Sequence, residues 1–225
     1  MPDLPKVFYV DLKQDDPKKS TMRKLRDLGM AVEVPGRNMN RHLVLRMDAG
    51  NFLLPKDRGV MEKIGICIIE GSWKRDNLLQ DSHVEVERKL PVLVASNPVN
   101  YGKIEKLSSA EALSAALYIA GFTDQAKKIM SKFHWGHTFL ELNGNLLEDY
   151  SKAGSEAELV QVEKEYGFRL KSIIVKNYDV TRGKTAMENL WRYRALLGNF
   201  YVFKHEYIFV LEKRGRISYK KAGKE

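Results

Sequence analysis

The residues whose types and spacing suit chemistry fall into four stretches. Asp16-Pro17-Lys18-Lys19-Ser20-Thr21 leads into a helical pattern. A helix beginning near Ser20 points free backbone N–H groups outward, and these bind a carboxylate or phosphate. Ile68-Ile69-Glu70-Gly71-Ser72-Trp73-Lys74-Arg75 sets an acid at the carboxyl end of a strand, three residues before a Trp. Open α/β sheets hold ligands in the crevice at that end, and a Trp there suits a cationic ligand. Leu93 to Gly102 (LVASNPVNYG) ends a β-rich run in an Asn/Pro/Gly loop, and Lys106 to Ala112 returns through a helix of small side chains. A flat ligand can lie there against backbone amides. Lys132 to Asn143 (KFHWGHTFLELN) is aromatic, and reads as core or as a rim of the site. Each stretch also has a plain structural reading: a capped helix, a Trp over a sheet edge, close helix packing, ordinary core.

Other chemistries lack their residues. There is no GxGxxG, no GxxxxGK[ST], no HExxH and no GxSxG. His134 and His137 flank Trp135-Gly136 at a spacing that can bind metal, but no Cys or acidic cluster accompanies them, so a structural role and no metal are expected. The single cysteine, Cys67, lies in the apolar run IGICII, which excludes a disulfide framework and a four-cysteine zinc site.

These stretches need elements to position them. Lys6–Leu12, Arg41–Arg46, Gly65–Ile69 and Pro91–Ser96 read as strands, and short helices precede Gly29 and close at Met61-Glu62-Lys63. This alternation predicts an α/β sheet. Ser108–Ala120 is the clearest helix: Ser108 and Glu111 form a capping box, and Gly121 ends it. A second helix opens at Thr123 or Asp124 and runs to Phe133. Residues 151–158 (SKAGSEAE) read as a linker. Beyond it come strands at Arg169–Val175, Phe200–Phe203 and Tyr207–Leu211, and a basic, aromatic helix over Lys184–Leu197.

The 225 residues carry 38 Lys and Arg against 29 Asp and Glu, and 44% are apolar, which excludes a wholly disordered chain. Residues 151–225 hold 16 basic and 9 acidic side chains, whereas residues 1–150 are nearly balanced at 22 and 20. Lys13, Lys18, Lys19, Arg23, Lys24 and Arg26 form one dense basic cluster. A polyanion is the natural partner of such faces; a solvated helix face with a basic tail is the plain alternative. No apolar run reaches bilayer length and no leader pattern follows Met1, so a soluble, cytoplasmic protein is expected.

The runs DPKKST, IIEGSWKR, LVASNPVNYG, KLSSAEALSAALYIAGF and SKFHWGHTFLELN occur in an order and spacing that resembles the small-subunit (16S/18S) rRNA aminocarboxypropyltransferases of archaeal type, over about residues 5–150. The resemblance implies a knotted-methyltransferase-like (SPOUT-like) α/β core. Its expected parts are an N-terminal α/β part at 1–85 and a cofactor-binding knotted part at 86–152; the stretch beyond departs from the family and is expected to be a linker with a small basic α+β appendage at 153–225. It implies S-adenosylmethionine as cosubstrate, no metal, and transfer of the 3-amino-3-carboxypropyl group to a modified pseudouridine of rRNA by a monomer. By position Ser20 and Thr21 match the methionine carboxylate site, and Ile69 the ribose contact. Leu93, Ser108 and Ala112 match the adenine pocket, Leu45 an apolar wall, and Trp73 the aromatic beside the reacting arm. Glu70-Gly71 stands where the family has Asp-Cys; Glu70 is the candidate base. Lys18, Lys19, Arg23, Lys24, Lys74 and Arg75 are candidates for the rRNA backbone. The rivals are a methyltransferase of similar fold and a non-catalytic RNA binder of ribosome assembly. Residues 157–218 (YGFRLKSIIVKNYDV, FKHEYIFVLEKR) resemble the closing strands of amino-directed DNA methyltransferases, without their catalytic tetrad.

Overall fold

The computed structural model describes residues 4–14, 16–17, 19–71, 84–166, 168–176 and 206–213. Five runs form one parallel sheet: Val7–Asp11 (β1), Val32–Glu33 (β2), Leu43–Leu45 (β3), Ile66–Glu70 (β4) and Glu87–Arg88 (β5). Their order is β2-β1-β4-β3-β5. The central strands read VFYVD, LVL and ICIIE, apolar on consecutive positions rather than alternating. That is the pattern of a parallel sheet covered on both faces, and Tyr9, Val44, Ile66 and Cys67 are fully or almost fully buried. Thr21–Asp27 (α1) connects β1 to β2, and a 3-10 turn at Gly36–Arg41 leads from β2 to β3. A second 3-10 turn (Pro55–Asp57) and Arg58–Ile64 (α2) connect β3 to β4.

Gly65 makes the last of these connections possible. Its φ is +72°, and a Cβ there would lie 2.7 Å from the Lys6 carbonyl oxygen. No L side chain fits that turn without displacing backbone. Asp57 pins the same region. Fully buried, it takes three hydrogen bonds from the Arg88 guanidinium at 2.9–3.1 Å and one from the Leu54 N–H at 3.0 Å.

The chain leaves β1 toward β2 on one side and then crosses to β3 on the other, so the strand order reverses between β1 and β4. Open α/β sheets bind ligands at such a reversal, beyond the carboxyl ends of the strands. Asp11 and Glu70 are the final residues of β1 and β4 and stand opposite each other in register.

Four helices follow: Ser109–Ile119 (α3), Thr123–Met130 (α4), Gly136–Tyr150 (α5) and Glu156–Glu165 (α6). The capping box at Ser108 is present as read: Ser108 Oγ accepts from the Glu111 N–H, and the Glu111 carboxylate accepts from the Ser108 N–H. The run Pro91–Ser96 is not a strand of the sheet. It makes a single antiparallel bridge, Val94 to Ile104, because the chain turns back on itself at Asn97–Gly102.

The structure divides into two compact units, Met1–Glu163 and Lys164–Glu225. The small polar run read as a linker instead holds a helix start. Ser155 Oγ accepts from the Glu158 N–H, and Leu159 is fully buried in the first unit. The structural division therefore falls about ten residues beyond the expected start of the appendage at 153. The second unit contains an antiparallel pair, Phe168–Lys176 (β6) and Glu206–Lys213 (β7), covering the strands read at Arg169–Val175 and Tyr207–Leu211. The helix read at Lys184–Leu197 and the strand at Phe200–Phe203 lie outside the described residues.

Candidate cofactor and catalytic site

Two helix beginnings are tied together beside the β1/β4 crevice. Ser20 is the N-cap of α1, its Oγ accepting from the Arg23 N–H at 3.1 Å. Thr21, the first residue of α1, accepts at Oγ1 from the Ala110 N–H in the first turn of α3, at 3.1 Å. Each hydroxyl used as an acceptor keeps its own proton to donate. The Ser20 and Ser109 hydroxyls and the Met22 N–H are directed at the carboxylate of Glu70.

Glu70 is held between opposing influences. Burial is the larger and pushes its pKa above the usual carboxylate range; the three donors act the other way, and Asp11 adds to the rise. Its Oε2 is buried and has no hydrogen-bond partner. Asp11 is committed elsewhere: it forms an ion pair with Arg23 at 2.5 Å and accepts from the Lys13 N–H at 2.7 Å. A carboxyl with a raised pKa and an open lone pair at the carboxyl end of a strand is equipped to accept a proton or an N–H donor.

On the α3 side the organising group is Glu111. Its fully buried carboxylate accepts from the Ser96 N–H (2.7 Å) and hydroxyl (3.1 Å), the Asn97 N–H (3.0 Å) and side-chain amide (2.7 Å), and the Ser108 N–H (2.6 Å). One anion thus binds the loop after Leu93 to the start of α3. Asn143 of α5 supports the loop from the other side, bonding both the N–H and the carbonyl of Val94. Ser96 Oγ shares its one proton between Glu111 and the Trp135 carbonyl 3.3 Å away, which brings the aromatic run KFHWG against the loop. The Trp135 ring lies tilted against that of Phe133, their centroids 5.0 Å apart. Gly136 begins α5 so close to α4 that any Cβ would collide with the Met130 carbonyl.

The residues singled out in the sequence take the following places. Ser20, Thr21 and Glu70 converge with Ser109 and Ala110, whereas Ser108, the N-cap just before them, bonds only Glu111. Leu45 ends β3, buried, opposite Ile68 and one residue from the register of Ile69. Leu93 is fully buried at the base of the loop, and Ala112 lies in the first turn of α3. Lys19 is exposed. Arg23 is paired with Asp11, and Lys24 donates to the Lys132 carbonyl at 2.6 Å and lies over the Phe133 ring, so both make intramolecular contacts. Lys18, Trp73, Lys74 and Arg75 lie outside the described residues. Asp11, Ser109 and the anchoring role of Glu111 escaped the sequence reading. Only Glu111 left a signal there, as half of a capping box.

Comparisons with known proteins agree on one kinship. The model of the family "Ribosome biogenesis protein, C-terminal" matches residues 43–167. The 16S rRNA aminocarboxypropyltransferase of Thermoplasma acidophilum is 48% identical over 160 residues, 71% of this chain and 98% of its own length. The protein of the same name from Methanocaldococcus jannaschii is 38% identical over 72% of this chain and 96% of its own. Among solved structures, the SAM-dependent rRNA:acp-transferase Tsr3 from Vulcanisaeta distributa superposes with a TM-score of 0.65. It is 34% identical and covers 72% of this chain and 89% of its own.

Proposed function

The chain belongs to the 16S rRNA aminocarboxypropyltransferases, and on that basis we infer that it transfers the 3-amino-3-carboxypropyl group of S-adenosylmethionine to a pseudouridine, or its methylated form, in small-subunit rRNA. The observation that carries this reading is the convergence of separate sequence runs on one crevice. Ser20 and Thr21 at the start of α1, Glu70 from β4 and Ser109 and Ala110 from α3 meet where the strand order reverses.

The residues present fit S-adenosylmethionine. The unpartnered Oε2 of Glu70 is matched by an ammonium or another N–H donor. The hydroxyl proton of Thr21 suits a carboxylate, and the loop held by Glu111 offers the apolar Leu93 to an adenine. Leu45 and Ile69 would close the apolar side. When bound, the group supplies a sulfonium whose three neighbouring carbons are electrophilic. Among these carbons the protein selects by orientation: holding both ends of a ligand fixes which carbon faces the nucleophile, and such positioning is worth about 7–11 kcal/mol in well-oriented reactions. The uracil N–H that becomes the nucleophile must lose its proton. Glu70 is the candidate base on this reading, supported by its raised pKa, and Trp73 is put beside the reacting arm by the family resemblance.

Several finer features are part of the same proposal. Residues 86–152 form the knotted cofactor-binding part. What supports this is that Leu93, Ser108 and Ala112 all follow β5 and that α5 braces the loop between them. The basic appendage from 153 onward grips RNA, supported by its 15 basic against 9 acidic side chains. The exposed Lys19, with Lys18, Lys74 and Arg75, contacts rRNA phosphates, aided by Arg23 and Lys24 where their internal partners release them. The protein acts as a cytoplasmic monomer; among the described residues no helix is long and apolar enough to cross a membrane.

The small product discriminates the reactions. Incubation with rRNA and S-adenosylmethionine yields methylthioadenosine if the aminocarboxypropyl arm is transferred and S-adenosylhomocysteine if the methyl is. Chromatography should find the former; the latter, or neither, overturns the reading.

A further inference from the structure

Residues 97–106 form a tight return loop whose stability comes from its backbone. The Gly102 N–H donates to the Ala95 carbonyl (2.7 Å), the Ala95 N–H to the Lys103 carbonyl (2.9 Å) and the Glu105 N–H to the Leu93 carbonyl (2.9 Å). Asn97 caps the turn, its Oδ1 accepting from the Asn100 N–H at 3.0 Å. The Asn100 side chain in turn accepts from Lys103 Nζ at 3.2 Å. Gly102, at φ +76°, supplies the left-handed residue this return requires.

This ordered loop turns its apolar side chains outward. Val99 is 76% exposed, Tyr101 57% and Ile104 49%, three of the most exposed large apolar residues of the described chain within six positions. Lys103 and Lys106 are exposed on the same turn, with Glu105 the acid between them. Folding leaves an aromatic ring in water on a rigid support, with cations beside it. Single-stranded nucleic acid is bound by that combination: a base stacks on the ring, and its backbone phosphates meet the lysines. A protein-binding patch of this apolarity is instead depleted in Lys at its centre. The root of the loop is also the root of the pocket, since Asn97 and Ser108 share the Glu111 carboxylate.

We propose that the 97–106 loop is a stacking platform for an unpaired rRNA nucleotide, with Tyr101 as the stacking surface and Lys103 and Lys106 as phosphate contacts. The proposal rests on rRNA being the substrate, and it names part of the surface that receives it. Tyr101 is a binding residue on this assignment, separate from the groups around Glu70.

The test is fluorescence anisotropy with a labelled single-stranded rRNA loop fragment, alongside titration of S-adenosylmethionine. Tyr101→Ala should weaken RNA binding by about 5- to 150-fold, the range expected for one lost stacking contact, and leave cofactor affinity unchanged. Tyr101→Phe and Tyr101→Trp keep the ring and should bind like the parent. Lys103→Gln with Lys106→Gln should flatten the log–log salt slope by about 1.4, two phosphates at ~0.7 each. RNA affinity unchanged in Tyr101→Ala overturns the proposal and leaves the loop to a protein partner. So does loss of cofactor binding in step with RNA binding, or a Phe variant as weak as the Ala one. Tyr101-dependent RNA binding by a protein that yields no methylthioadenosine upholds the platform and removes the transferase reading.

Discussion

At the residue scale the account turns on two carboxylates with opposite surroundings. Glu70 is pushed upward in pKa by burial and keeps one oxygen unpartnered, whereas Glu111 is saturated with donors. The sign of the pH dependence follows. A base must be ionised to act, so turnover should climb as pH rises through a pKa above the ordinary carboxylate range. The same ionisation costs folding stability, because a raised folded-state pKa favours the fold on the acid side. Glu70→Gln should therefore lower the rate, remove the acidic limb of the profile and make unfolding less sensitive to pH; unchanged turnover with normal cofactor binding would dismiss Glu70 as the base. Glu111→Gln tests the other carboxylate. The new amide presents N–H groups to the donors of Ser108 and Asn97, at about 1–3 kcal/mol for each donor left unpaired. Thermal unfolding should report that loss, and calorimetry should show at least ~10-fold weaker cofactor binding. Cys67 plays no part: burial raises its thiol to about 12, which leaves it inert at neutral pH.

These residues were unequally legible in the sequence. Ser20, Glu70 and Ser108 stood out because caps and strand-end acids are local signals. Ser109 reaches Glu70 only because α3 returns to the carboxyl edge of β4, and Asp11 matters only through its register with Glu70; neither fact is local.

At the scale of elements, α3 and the central apolar strands declared themselves through periodicity and caps, as Ser109–Ile119 and Ile66–Glu70 show, whereas Gly136–Tyr150 was not read as a helix. Val32–Glu33 and Glu87–Arg88 did not: two residues carry no period, and tertiary pairing alone makes them strands. Pro91–Ser96 has strand composition, yet its backbone groups are taken by the return loop, Asn143 and Glu111. The small polar run at 151–158 looked like a linker because helix starts share its composition. One elemental contact is testable for stability. Asp57 holds β5 to the start of α2 through Arg88, and removing one partner of a buried pair strands the other. Asp57→Ala should cost about 3 kcal/mol in urea unfolding. A loss below ~1 kcal/mol would show that solvent at the partly exposed Arg88 carries most of the pair.

At the scale of the molecule, a chain of net charge +9 presents a parallel sheet whose crevice is walled by two helix beginnings and a braced loop. Net charge brings a polyanion near and does not choose the reaction. Choice belongs to the crevice, which must fix a ligand with three reactive carbons so that one of them meets the base. The decisive measurement is mass spectrometry of nucleosides from small-subunit rRNA incubated with the protein and carboxyl-labelled S-adenosylmethionine. The account predicts the label retained on a single modified uridine. A nucleoside heavier by one unlabelled methyl, or rRNA without any new mass, would contradict it.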